Sequence, residues 1–284
     1  MDELLAMFTE RWYVLAFLAT FLVIATAERG WLRTALWLAT GTFIGWLVEF
    51  SSTRNGFPFG NYDYNQANFP DELFIGGVPL FASLSFAFLT YFGYSAACTL
   101  LSPLERANGG LVRLAGPALD NSFRVLLLAA VVTTWVDTVV DPVTHLGRYW
   151  FIGDLYAYDT NGFHFDVPLS NYAGWLFTSA LIVLVNQGLD ALLNERGVPA
   201  RGFALPYKPL WAVATIVGDM AFIIGIAIYL LGNNDVPSSE NVGAVLASGI
   251  AISVAFIAFA AFMLRRGLSQ GEQAASIAPA EAGT

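Results

Sequence analysis

The sequence predicts an all-α, polytopic membrane bundle with about seven transmembrane helices. Three observations support this prediction: 56% of the 284 residues are hydrophobic, only 12% are charged, and the mean hydropathy is +0.59. Water-soluble domains carry about 25% charged residues, so this chain has too little polar surface to cover a soluble globule. We therefore expect a multi-pass integral protein of the cell membrane that contacts membrane lipid along its helices.

Seven apolar runs are long enough to cross a bilayer, which requires about 20 residues per helix. Glycine, proline, asparagine or clustered charge separates each run from the next. The first run follows an acidic start without the basic segment of a signal peptide, so we expect a retained helix. In this prediction residues 1–266 form one transmembrane domain, and the small polar residues 267–284 form a disordered tail. The runs cover about 11–28, 31–50, 77–101, 121–141, 168–190, 208–231 and 241–264.

The distribution of cations predicts the orientation of the bundle. Ten of the 13 arginine and lysine residues fall on one side of this topology, and Arg11, Arg54 and Arg148 fall on the other. Cytoplasmic loops carry the excess of such residues, so we expect the N-terminus outside and the C-terminus inside. The two longest links, 51–76 and 142–167, then lie outside, and we expect the chemistry there. The cytoplasmic set is Arg29, Arg33, Arg106, Arg113, Arg124, Arg196, Arg201, Lys208, Arg265 and Arg266.

The remaining composition limits the possible partners. The net charge is −9 and Lys208 is the single lysine, a balance typical of halophiles and unfavourable for binding nucleic acid. Cys98 is the single cysteine, so an intrachain disulfide is excluded. No feature of the sequence specifies an oligomeric state.

Three carboxylates stand near the outer ends of predicted helices. Glu49 ends the second run, and Asp137 and Asp141 lie four residues apart in the fourth, which places both on one helix face. Two like charges in a low-dielectric site do not both ionise cheaply, so we expect one aspartate to keep its proton. Such a pair suits general acid–base chemistry. The structural alternative is that the aspartates cap the helix or bind Arg148 or Arg54, and that Glu49 pairs with Arg54.

Other polar residues are consistent with more than one role. Asp219, near the middle of the sixth run, suggests proton transfer or an internal hydrogen bond. Asn171 could orient a carboxyl group or a water molecule, or it could join two helices. His145 and His164 lie near acids, but their spacing matches no metal motif, and no nucleotide-binding or serine-hydrolase motif occurs. A retinal protein is excluded because the run 241–264 contains no lysine.

Three separated motifs resemble those of a known family. "GFPFGNYDY" follows the helix that ends in glutamate, and "DPV…GRYW" and "VPLSNYAGW" come after it in the same order, within residues 45–180. This set is similar to the membrane carotenoid hydratases, which include the bisanhydrobacterioruberin hydratases of haloarchaea and the γ-carotene 1′-hydroxylases of bacteria. The resemblance implies a carotenoid biosynthesis enzyme that adds water across the terminal 1,2 double bond of an acyclic, lipophilic carotenoid. That reaction requires neither a metal nor a redox cofactor.

The resemblance also implies roles for particular residues. Protonation of carbon 2 gives a tertiary cation at carbon 1, which water captures, so the site needs an acid, aromatic faces and a base. We expect Asp137 and Asp141 to supply the proton, and Glu49 or the partner aspartate to position water. Asn171 would orient one carboxyl group, and Arg54 would order the loop. The walls of the pocket would be Tyr62, Tyr64, Trp150 and Trp175.

The stretch after the second run would then act as a lid. A long polyene that lies along the helices brings its end group to the membrane interface, where water is available. Gly56, Pro58 and Gly60 would fold an aromatic segment over that end group and limit the entry of water.

Other functions are consistent with the same residues. A carotenoid end-group cyclase would protonate the same alkene but quench the cation by ring closure. A proton-coupled transporter could use Asp219 and Asp137, although the sequence lacks the internal repeat that transporters favour. A bundle with a purely structural role is the remaining alternative.

Overall fold

A computed structural model describes residues 11–107, 110–159 and 162–281, and within them seven long helices form one bundle. The predicted all-α membrane fold is confirmed, because the long helices coincide with the seven apolar runs. Six are long and apolar enough to span a membrane; α2 is equally long but richer in hydroxyl and charged residues. The helices are α1 (Trp12–Arg29), α2 (Trp31–Asn55), α3 (Leu80–Leu101), the short α4 (Pro117–Asp120), α5 (Phe123–Thr144), α6 (Leu169–Glu195), α7 (Trp211–Leu231) and α8 (Val242–Glu281).

Helix α3 lies at the centre of the bundle, and every residue from Thr90 to Leu100 is buried. Glycines allow its neighbours to come close, as small residues do in membrane helices. A Cβ atom at Gly41 of α2 would lie 2.7 Å from Cα of Ala87. A Cβ atom at Gly93 of α3 would lie 2.9 Å from the carbonyl oxygen of Ala129 in α5. Helices α2 and α5 therefore pack closely against two sides of α3.

The links between the helices form short antiparallel strand pairs at the two ends of the bundle. One pair, β1 with β6, joins the links 56–79 and 145–168, and we call this the loop end. Another pair, β4 with β5, lies in the link 102–122 at the opposite end, which we call the basic end. The strands are β1 (Tyr62–Tyr64), β2 (Phe74–Ile75), β3 (Val78–Pro79), β4 (Leu104–Ala107), β5 (Gly110–Arg113) and β6 (Tyr156–Tyr158).

Buried ion pairs connect separate segments at each end of the bundle. At the basic end, Arg29 Nη2 lies 2.8 Å from Asp190 Oδ1, and Arg33 binds the same oxygen. At the loop end, Arg11 Nε lies 2.8 Å from Glu72 Oε2. The structure thus separates the cations into the two groups that the predicted topology indicates. The assignment of one end to the cytoplasm stays a prediction.

Two helices extend beyond the ends expected from the sequence. Helix α5 continues past Pro142 to Thr144, although proline lacks a helical N–H donor. The last turn closes where His145 N–H donates to Asp141 O at 2.9 Å. Helix α8 continues to Glu281, past the expected start of the tail at Gly267. Alanine, glutamine and glutamate, which favour helix, are frequent in that segment. The division into a domain and a disordered tail stays a prediction.

The close approach of α2 and α3 predicts the effect of a single methyl group. Gly41→Ala should cost about 1–3 kcal/mol of stability, because the added Cβ would meet the Ala87 backbone, which cannot rotate away. Thermal unfolding in detergent measures the loss. Gly225→Ala in α7 is the control, since a Cβ there meets no atom within 4 Å. Equal unfolding temperatures for the two variants would contradict this packing.

Candidate active site

A cavity of about 190 Å³ lies at the loop end, between the loop-end halves of α2, α3, α5 and α6 and beneath the strand pair β1–β6. Its walls are largely aromatic and aliphatic, and the side chains of Glu49, Asp137 and Asp141 line it together. Pockets that enclose a whole drug-sized ligand measure about 300–1,000 Å³. This cavity therefore has room for water and one end of a longer molecule.

Asn171 bridges the two aspartates. Its Nδ2 atom donates to Asp137 Oδ2 at 2.9 Å and to Asp141 Oδ2 at 2.6 Å. The spacing of four residues places both aspartates on one face of α5, and Asn171 meets them from the first turn of α6. All three residues are buried. One amide group thus holds two carboxyl groups side by side inside the protein.

The two aspartates differ in their remaining partners. Asp141 Oδ1 accepts a second hydrogen bond, from the Tyr156 hydroxyl at 2.9 Å. Within the described part of the chain, Asp137 Oδ1 accepts no hydrogen bond. Hydrogen bonds donated to a carboxylate favour its ionised form, so Asp141 is the better stabilised anion of the pair.

Glu49 is held by two tyrosines. The hydroxyls of Tyr62 and Tyr64 both donate to its Oε2 atom, the second at 2.7 Å. Burial, and then the adjacent Glu49 carboxylate, raise the pKa of both phenols well above the usual value. Both hydroxyls therefore stay protonated and act as donors at neutral pH. Among the described residues none bonds to the other oxygen, Oε1, which is left to a ligand or water.

The strand pair β1–β6 brings these tyrosines to the carboxylates. "YDY" and "YAY" alternate, so Tyr62 and Tyr64 share one face of β1, and Tyr156 and Tyr158 share one face of β6. Antiparallel register places Tyr62 opposite Tyr158 and Tyr64 opposite Tyr156. We call this group of four residues the tyrosine clasp. It connects the two long links and faces the ends of α2 and α5.

The turn after α2 delivers an aromatic ring to the cavity. Gly56 adopts φ +76°, which glycine tolerates, and Ser52 Oγ accepts the backbone N–H of Phe59 at 3.0 Å. The Phe59 ring then lies 6.1 Å from Trp175, which itself stacks on Phe86 at 4.5 Å between centroids. These three rings form one wall of the cavity, so the segment after α2 contributes to the wall, and its action as a lid stays a prediction.

A buried ion pair connects the two long links that cover the cavity. Arg11 binds Glu72 in the first long link, and its Nη1 donates to the backbone oxygen of Ile152 in the second at 3.0 Å. Its guanidinium also lies 4.4 Å from the ring centroid of Phe81. Since Ile152 and Phe81 line the cavity, Arg11 connects both links and the start of α1 to the site.

Two of the nine residues selected from the sequence lie outside the cavity lining. Trp150, expected in the wall, donates its Nε1–H to Val143 O at 3.0 Å and packs against Phe151, so it supports the turn after α5. Arg54 donates to Gly76 O at 3.0 Å and lies over the Phe50 ring, which orders the loop. The residues that do line the cavity are Glu49, Asp137, Asp141, Asn171, Tyr62, Tyr64 and Trp175.

The arginines considered as structural partners of the acids bind elsewhere. Arg148 lies 3.8 Å from Asp154 at the surface, and Arg54 binds backbone oxygens. In the described ranges no cation forms a salt bridge with Glu49, Asp137 or Asp141. The three carboxyl groups therefore depend on neutral donors.

The two histidines and Asp219 lie outside the cavity lining. His145 stacks on Tyr158, and His164 Nδ1 lies 2.7 Å from the Tyr172 hydroxyl. Across the described residues, no group of three histidine, cysteine, aspartate or glutamate side chains could hold a metal. Asp219 is buried on α7 and is not part of the cavity lining.

Sequence reasoning missed two residues of the tyrosine clasp and two rings of the wall. In the sequence, Tyr156 and Tyr158 are two of many aromatic residues in the link 142–167, although the matching triplets "YDY" and "YAY" in the two long links are a usable signal. Phe59 stands in the motif "GFPFGNYDY" but is not among the wall residues that the resemblance implies. Phe86 had no signal, because α3 is apolar on every face.

Comparisons with known proteins show what this chain is similar to. The family model described as carotenoid biosynthesis protein matches residues 9–233. Among curated proteins, a bisanhydrobacterioruberin hydratase of Haloarcula japonica is 29% identical over 153 residues, which cover 54% of this chain and 44% of that relative. The chain therefore aligns with less than half of the relative's length. No solved structure matches the chain.

The bridge formed by Asn171 predicts an energetic coupling. Asn171→Leu should cost about 1–3 kcal/mol, because it leaves buried carboxyl oxygens without their donor. The double variant Asn171→Leu/Asp137→Asn should lose an amount of stability that differs from the sum of the two single losses by about 0.5–3 kcal/mol. Unfolding in mixed micelles measures these free energies.

A matched control comes from the same helix. Asn186 is also buried but bonds Thr40 and Ile182 instead, so Asn186→Leu should be additive with Asp137→Asn. Additivity of Asn171→Leu with Asp137→Asn would contradict the bridge.

Proposed function

The chain belongs to the family of carotenoid biosynthesis proteins, and from that premise we propose that it is a hydro-lyase of the cell membrane. It adds water across the terminal 1,2 double bond of an acyclic carotenoid end group. The observation that carries this proposal is the cavity itself, in which three buried carboxyl groups and an aromatic wall surround space for an end group. The hydratase name of the Haloarcula japonica relative supports addition of water over other carotenoid chemistry.

Asp137 is the proton donor in this proposal. Two carboxyl groups bridged by one amide repel each other if both ionise, so the pair holds one proton. Asp141 accepts two hydrogen bonds and Asp137 accepts one, which favours the anion on Asp141 and the proton on Asp137. Asp137 transfers that proton to carbon 2 of the alkene, and the tertiary cation forms at carbon 1.

The cation is stabilised by the walls of the cavity. The Asp141 carboxylate supplies a negative charge beside it, and the rings of Trp175, Phe86 and Phe59 present π-faces that attract positive charge. The same rings restrict the entry of water, which protects the cation and strengthens the electrostatic interactions inside the cavity.

Glu49 is the base that activates water. Tyr62 and Tyr64 fix its Oε2 atom, so Oε1 can accept a hydrogen bond from a water molecule in the cavity. As that water attacks carbon 1, Glu49 takes up its proton. The alkene thus gains one proton from Asp137 and one hydroxyl from water. A proton passing from Glu49 back to Asp137 through cavity water resets the site for the next turnover.

The polyene follows the helices into the membrane. Leu89, Val136 and Val140 line the cavity on its α3 and α5 sides, and these apolar side chains suit a hydrocarbon. A bilayer core is about 30 Å thick, so a long polyene lies along the bundle with its end group at the loop end. The site therefore accepts the substrate directly from lipid.

The reaction is tested by producing the protein in a bacterium that accumulates lycopene and analysing the pigment by mass spectrometry. We expect a gain of one water mass for each end that reacts. An unchanged mass with a shifted absorption spectrum would indicate ring closure and refute hydration. Unchanged pigment in a strain with verified membrane-inserted protein would refute a carotenoid-modifying role and favour the transporter or structural alternatives.

Substitutions of the acids test their roles. Asp137→Asn and Asp141→Asn should each lower product formation by at least about 100-fold, and Glu49→Gln by about 10²–10⁴-fold. Asp219→Asn is the matched control, because it removes another buried carboxylate outside the cavity and should leave activity unchanged. Full activity in both Asp137→Asn and Asp141→Asn would refute the assignment of the acid.

A further inference from the structure

A second cavity, of about 290 Å³, lies at the basic end, where α3 ends, α5 begins and α8 leaves the bundle. Its polar residues come from two helices: Arg124 from the first turn of α5, and Arg266 and Gln270 from α8. Arg266 and Gln270 are four residues apart and share a helix face. We call this space the arginine cavity.

Its two arginines have no counterion in the described part of the chain. Arg113 at the same end binds Asp120 at 3.0 Å, whereas neither Arg124 nor Arg266 forms a salt bridge or hydrogen bond with a described residue. Two guanidinium groups that line one cavity attract an anion.

The remainder of the lining is apolar. Leu100 and Leu101 end α3, and Met263 lies one turn before the arginine on α8. The neighbouring side chains of Phe123 and Phe262 have exposed fractions of 72% and 64%, which is typical of rings that face lipid. The arginine cavity therefore lies at the depth where hydrocarbon meets headgroups, with cationic side chains beside an apolar surface.

We propose that the arginine cavity binds an anionic glycerophospholipid. Its phosphate lies between Arg124 and Arg266, and an acyl chain covers Leu100, Leu101 and Met263. Basic pockets between transmembrane helices bind anionic headgroups in this way. A free phosphate would satisfy the charge but would leave the apolar surface uncovered, so the lining favours a lipid. The bound lipid would hold α3, α5 and α8 together at the end of the bundle opposite the catalytic cavity.

Native mass spectrometry of the full chain in detergent tests the site, with phosphatidylglycerol and phosphatidylcholine supplied in equal amounts. Two charge-assisted hydrogen bonds should give the wild-type protein at least about tenfold preference for phosphatidylglycerol. Arg124→Gln/Arg266→Gln should abolish the preference. Arg201→Gln/Arg265→Gln, with the same change in net charge at exposed arginines outside the cavity, should keep it.

Several results would overturn the proposal. They are an absence of preference in the wild type, an equal loss in both double variants, and a preference that sodium phosphate alone removes, which would assign the site to free phosphate. Thermal unfolding checks that each variant is folded. If the double variant fails this check, the single variants Arg124→Gln and Arg266→Gln replace it. A full preference for phosphatidylglycerol in both single variants would then overturn the proposal.

Discussion

The contact of one amide group with two carboxyl groups governs the loop end of this protein. Burying a carboxyl group away from water is costly unless it is hydrogen-bonded, and here two of them lie four residues apart on one helix. Asn171 satisfies both from the facing helix, so α5 and α6 are fixed in register where they meet. The catalytic proposal depends on that register, because the shared donor keeps the aspartates close enough to hold a single proton.

The long links complete the site on this rigid base. Strands of three residues have little stability alone, but β1 and β6 pair with each other and their tyrosines bond to Glu49 and Asp141. The Arg11–Glu72 pair joins the same links to α1. The tyrosine clasp therefore both positions the carboxylates and covers the cavity. This double role explains why the two links are rich in aromatic residues, glycine and amides.

The sequence predicts the helices and the acid pair well, because both follow from local rules. Apolar runs of sufficient length define helices, and a spacing of four places Asp137 and Asp141 on one face. The tyrosine clasp depends on pairing between segments more than 90 residues apart, so the periodicity within either segment alone does not reveal it. Phe86 was hidden because all faces of α3 are apolar. Trp150 lies outside the cavity because its indole N–H bonds Val143 O in the turn after α5, and Phe59 lines it because the turn after Gly56 directs that ring inward.

The central claim is that a protein carboxyl group adds a proton to the alkene and that water completes the reaction. It is tested most directly by supplying lycopene in vesicles to the purified protein in deuterium oxide. After the product is returned to ordinary water, we predict one carbon-bound deuterium per hydrated end, on the carbon next to the one that carries the hydroxyl. A hydroxylated product without carbon-bound deuterium would contradict the account.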